Sequence, residues 1–148
     1  MSAVSEIMSP KGVINLRANF TPTMLDAIKV MLKNKVGSVV VADSNGKPEG
    51  IITERDILRV VAKSKKLPFE ISAGEIMSSP VITVKTYDSI DTAAAKMTKN
   101  KIKRAVVIED DGTMAGVISV TDIAKKLSKI ISDDYNRYRS LGTAIRMR

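Results

Sequence analysis

The 148-residue chain has no cysteine and no histidine. The first absence removes disulfides and thiolate nucleophiles, and the second removes the commonest general base and the commonest zinc ligand. Most hydrolytic and metal-based chemistries lose their usual actors. The remaining carboxylates and lysines form no converging catalytic set, so an enzyme is the least favoured class. No run approaches the roughly 20 apolar residues that a membrane span needs, and Met1 to Pro10 carries neither an apolar stretch nor a basic leader. A soluble cytoplasmic protein with no membrane partner is expected. The length suits one body with a shared core, because two independent domains of half this size would each sit near the lower limit for a stable fold. The formal net charge of +8 points to anionic partners, nucleotide phosphates or nucleic acid, and fits a solvated basic surface equally well.

What is present is present twice. Glu6-Ile7-Met8-Ser9-Pro10 returns as Glu75-Ile76-Met77-Ser78-Ser79-Pro80, and Val39-Val40-Val41-Ala42-Asp43-Ser44-Asn45-Gly46 returns as Ala105-Val106-Val107-Ile108-Glu109-Asp110-Asp111-Gly112. Gly50-Ile51-Ile52-Thr53-Glu54-Arg55-Asp56-Ile57 reappears as Gly116-Val117-Ile118-Ser119-Val120-Thr121-Asp122-Ile123. From Met31/Met97 to Asp56/Asp122 the offset is a constant 66. Any site is therefore expected in duplicate about a pseudo-two-fold axis.

Each copy changes period twice. Leu25, Ile28, Met31 and Leu32 have helical spacing behind Thr21-Pro22, as do Ile90, Ala93, Ala94 and Met97 behind Asp88. Short β-branched runs follow at 37–42 and 104–108, each joined by an Asp/Asn-Gly turn to a second run at 50–53 or 116–119, which predicts a hairpin. The near-continuous valines predict strands covered on both faces. A second helix starts after Thr53 and after Ser119, and an extended segment at 13–16 or 81–84 precedes the first. The predicted fold is α/β (α+β), two β-α-β-β-α repeats. Residues 1–67 form the first, 68–128 the second, with 63–72 as connector and 129–148 as a basic helical extension.

In order and register these elements resemble a tandem pair of cystathionine-β-synthase (CBS) domains, over roughly residues 5–63 and 74–128. The resemblance rests on the opening Ile-Met-Ser, the valine strand with its Asp/Asn-Gly turn, and the Gly-x-x-[Ser/Thr]-x-x-Asp segment. It implies two domains packed through their sheets and a homodimer of such pairs. It also implies an inter-domain cleft for AMP, ADP, ATP or S-adenosylmethionine, with a regulatory output to a protein partner that the sequence does not name. No cofactor beyond such a regulatory ligand is implied.

The residues argue for that site on their own. Thr53 and Ser119 stand where a strand becomes a helix, so a hydroxyl and the first helical N–H groups face an anion at the positive end of the helix dipole. Asp56 and Asp122, one turn along, suit the two hydroxyls of a ribose. The same Ser/Thr-x-x-Asp spacing is that of a capping box, and the two roles can coexist. By the resemblance, Lys103-Arg104 is where basic residues of opposite domains converge on phosphates. In the first copy Gly37 and Ser38 stand in that register, so the two clefts are expected to differ. The resemblance also assigns the base walls to Ile51 or Val117 and to Val36 or Ile102, which would be core in any fold of this shape.

Beyond the repeat, Leu127, Ile131, Tyr135, Tyr138 and Leu141 recur at helical intervals, among seven basic residues from Lys125 onward against Asp133 and Asp134. The stripe calls for burial on its own module or on a second copy. The alternative function is a nucleic-acid-binding protein that uses this basic, tyrosine-bearing tail.

Overall fold

The computed structural model describes residues 2–9, 12–16 and 21–146, the last four by backbone alone. The first repeat contains β1 (Val13–Asn15), α1 (Met24–Asn34), β2 (Ser38–Ala42), β3 (Pro48–Thr53) and α2 (Glu54–Lys63). After a short helix α3 (Ala73–Ile76), the second contains β4 (Thr83–Lys85), α4 (Ile90–Lys99), β5 (Arg104–Ile108), β6 (Met114–Ser119) and α5 (Val120–Arg146). Each repeat forms a three-stranded sheet, β1-β2-β3 or β4-β5-β6, in which the first pair is parallel and the hairpin antiparallel. The offset of 66 survives in fine detail. A register shift falls between Val41 and Ala42 and again between Val107 and Ile108. Gly46 and Gly112 close the two hairpins at φ of 81° and 87°, a region that a Cβ disfavours.

The valine strands are covered on both faces, by different means. Val39 and Val41 join Ile14, Ala27, Met31 and Ile52 under the helices of the first repeat. Val40 points the other way and meets Val106 and Val117 of the second sheet. Alternation along the strand thus builds two cores at once, one within the repeat and one uniting the sheets. The first helices begin where the apolar spacing predicts, at Met24 and Ile90. Thr23 caps α1, accepting from Asp26 N at 3.2 Å while its own N donates to Asp26 Oδ2 at 2.8 Å, and Ser89 caps α4.

The opening motifs change places. A turn at Val4–Glu6 puts Val4, Ile7 and Met8 into the core of the second repeat with Val84, Met97 and Ile118. Ala73, Ile76 and Met77 enter the first with Ile14, Met31 and Ile52. Ser9 exchanges backbone hydrogen bonds of 2.9 and 2.8 Å with Val117, and Ser78 exchanges bonds of 2.9 and 3.1 Å with Ile51. A Cβ on Gly116 would lie 2.8 Å from the Ser9 carbonyl and 3.0 Å from Met8 Sδ, and one on Gly50 would strike the Met77 side chain. Along the chain each Ile-Met-Ser heads its own repeat, yet in space it covers the sheet of the other.

Helix α5 runs unbroken for 27 residues, about 40 Å at 1.5 Å per residue. Its Leu127, Ile131, Tyr135, Tyr138 and Leu141 are 52% to 72% exposed. Burial on its own module, one of the two covers expected for this stripe, is therefore overturned: the helix extends past the body it would have to fold back upon.

Candidate functional site

The two strand-to-helix junctions are built alike. Thr53 N and Oγ1 donate to Asp56 Oδ2 at 2.8 and 2.9 Å, and Asp56 N donates back to Thr53 Oγ1 at 3.3 Å. Ser119 N donates to Asp122 Oδ2 at 2.9 Å, and Asp122 N to Ser119 Oγ at 3.1 Å. The capping boxes are real. In each, the cap occupies one oxygen of the carboxylate, Oδ2.

The surroundings of the two junctions differ. Thr53, Asp56 and Ile51 of the first repeat share a cleft of about 580 Å³ with Ile102, Lys103 and Arg104 of the second. The sequence reasoning missed Glu54, Arg55, Arg59, Ser78 and Lys101 on the same walls. Arg55 and Arg59 flank Asp56 at one helical turn's spacing, a signal that was available. Ser78 arrives only through the exchange of opening motifs, which no local pattern announces. The cleft carries five cations, Arg55, Arg59, Lys101, Lys103 and Arg104, against Glu54 and Asp56, a net +3. Among the described residues none of these cations is held in an ion pair.

Gly37 explains how Arg104 enters. The Gly37 carbonyl accepts from Glu54 N at 3.1 Å, as the Lys103 carbonyl accepts from Val120 N at 2.9 Å, so residues 37 and 103 are structural equivalents. A Cβ on Gly37 would stand 2.8 Å from Arg104 Nη2 and 3.0 Å from Glu54 Oε1. The missing side chain in the first repeat is the space that the guanidinium of the second one occupies.

The other four candidate residues are not gathered in this cleft. Val36 lines an adjoining, largely apolar cavity of about 520 Å³ with Met31, Leu32, Ile57 and Leu58, which shares Glu54 and Leu58 with the cleft. Val117 is buried in the cluster between the sheets. Ser119 and Asp122 stand at the second junction, where the offset of 66 places Lys35, Gly37, Ser38, Val120, Thr121 and Lys125 opposite the charged set of the first. Only two of those six are cationic. Among the described residues no group of three or more histidine, cysteine or carboxylate side chains gathers as a metal site, and no helix is long and apolar enough to cross a membrane.

Residues 4–63 and 73–129 each match the sequence model of the CBS domain, together most of the chain. The chain belongs to the CBS domain family. An uncharacterized protein of Methanopyrus kandleri is 36% identical over 103 residues, covering 70% of this CBS chain and 53% of the relative. The L-aspartate semialdehyde sulfurtransferase of Methanocaldococcus jannaschii is 30% identical over 84% of the chain but only 23% of its own length. The chain thus spans about half or less of these curated relatives. Among solved structures, the CBS domain pair of protein MJ0100, in complex with 5′-methylthioadenosine and S-adenosyl-L-methionine, superposes with a TM-score of 0.73 at 27% identity, over 86% of this chain and 97% of that one. A CBS domain protein of Pyrobaculum aerophilum complexed with AMP gives 0.69 at 33% identity, over 82% and 89%.

Proposed function

We propose that the charged cleft binds the ribose and phosphates of an adenine nucleotide, and that this CBS pair is a regulatory protein reporting occupancy to a protein partner. The observation that carries the reading is the meeting of Thr53 and Asp56 with Lys103 and Arg104 of the opposite repeat in one cleft of net charge +3. In this reading the N–H groups that open α2 and the Thr53 hydroxyl take a phosphate at the positive helix end. Arg104 grips it bidentately, with Lys101 and Lys103 as point charges. Asp56 accepts from the ribose hydroxyls with the carboxylate oxygen that the cap does not use. Ile51 and Ile102 supply apolar walls for the base.

Two further features support a nucleotide. The excess of cations disfavours the sulfonium and ammonium groups of S-adenosylmethionine, so AMP, ADP and ATP rank ahead of it. A related CBS protein, 33% identical, is complexed with AMP. Signalling additionally requires that the partner prefer one occupancy state, and pairing of two chains forms part of the proposal. Calorimetric titration with AMP, ADP, ATP and S-adenosylmethionine tests it. A bound nucleotide at a hundred times its dissociation constant is expected to add about 2.7 kcal/mol of apparent stability. If no nucleotide gives heat or raises the melting temperature at millimolar concentration, the reading fails.

A further inference from the structure

The exposed stripe of α5 has a spacing that its burial pattern alone does not explain. Leu127, Ile131, Asp134, Tyr138, Leu141 and Ile145 follow one another at intervals of four, three, four, three and four. That is the alternation of d and a positions in a heptad, a seam suited to another helix, with the exposed Ile130 and Tyr135 at the flanking g and e positions. Lys125, Lys126, Lys129 and Arg139 fall at the b, c and f positions, away from the seam, and of the basic residues only Arg137 flanks it. Every residue described by side chain from Leu127 to Leu141 is exposed.

The stripe also reads the same in both directions about Asn136. In an antiparallel pair centred there, Ile131 meets Leu141 and Asp134 meets Tyr138, each layer occurring twice, and positions 127 and 145 fall in register. The two symmetry-related polar layers then each join a phenol donor to a carboxylate acceptor. A parallel pair would set Asp134 against its own copy, two like charges across an apolar seam. We propose that α5 pairs antiparallel with α5 of a second copy of this chain, the two-fold axis passing beside Asn136. The Asp134–Tyr138 layer fixes the register, as single polar layers do in coiled coils. The inference gives a seam to the pairing of chains proposed above and is independent of what the cleft binds.

The chain has no cysteine, so introduced thiols report without interference. Ile131→Cys and Leu141→Cys proteins, purified separately, mixed and oxidised, are expected to form a disulfide dimer containing one of each. Its rate should exceed that of either protein alone at least tenfold and fall back to that level when Tyr138→Glu is added to both. Equal rates in the mixture and in Ile131→Cys alone would overturn the antiparallel pair. A dimer by light scattering that gives no cross-link would overturn it and leave pairing elsewhere; a monomer would remove both, with the nucleotide reading intact. Absence of the cross-link together with oligonucleotide binding that disappears on deletion of residues 129–148 would assign the helix to nucleic acid instead.

Discussion

Arg104 of the second repeat lies over Gly37 of the first, its Nη2 2.8 Å from the place a Cβ would take. Two substitutions separate the guanidinium from the space it needs. Arg104→Ala removes a charge-assisted contact of about 1.5 to 3 kcal/mol, so nucleotide affinity should fall ten- to a hundredfold in calorimetry. Gly37→Ala meets only the ends of flexible side chains. It should cost less than about 1 kcal/mol of stability and weaken binding several-fold by displacing Arg104. Equal affinity of wild type and Arg104→Ala would remove the guanidinium from the site.

Glu54 shares that space, with Oε1 3.0 Å from the same point. A carboxylate there competes with a phosphate for Arg104 and repels it. Glu54→Gln is expected to raise affinity for AMP several-fold and for ATP more, an ordering that weaker binding by the variant would contradict.

Asp56 and Asp122 make matching caps in unlike surroundings. Replacing either with alanine should lower the unfolding free energy in urea by about 1 kcal/mol, the usual worth of a cap. Only Asp56→Ala should also lose nucleotide affinity, by tenfold or more. Similar binding losses in both would mean that helix capping, and not contact with ribose, underlies the effect.

Gly116 and Gly50 test the exchanged motifs. At Gly116 a Cβ meets backbone, the Ser9 carbonyl, whereas at Gly50 it meets the flexible Met77 side chain. Gly116→Ala should destabilise by about 1 to 3 kcal/mol, typical of overpacking, and Gly50→Ala by less. The reverse order in thermal melts would show that the Ser9 strip yields more easily than Met77.

Much of this was legible in the sequence. Near-continuous valine runs and turn glycines at a constant offset located the hairpins. Thr53-x-x-Asp56 marked a helix start whichever role it served, because capping and anion binding draw on the same N–H groups. Arg104 was legible as a basic residue, but its route into the cleft over Gly37 was not, since a vacancy in one repeat gains meaning only when the other lies across it. Where Val36 and Val117 would lie was not legible for the same reason: the structure sets Val36 on a neighbouring cavity and Val117 between the sheets, and an aliphatic residue at a strand edge reads alike in either place. The α1 cap falls on Thr23, just past the Thr21-Pro22 pair, because Asp26 stands three residues beyond Thr23 to complete the box.

Ser78 belongs at once to the cleft wall and to the strip that seals the first sheet. Severed at the connector, each fragment would carry the other's cover and leave apolar side chains of its own three-stranded sheet bare. The pieces are expected to aggregate apart and to regain solubility when refolded together. The duplicated ancestor has thereby become inseparable from its twin, and whatever a ligand does to Ile51 and Ser78 is felt by the fastening that holds both halves shut.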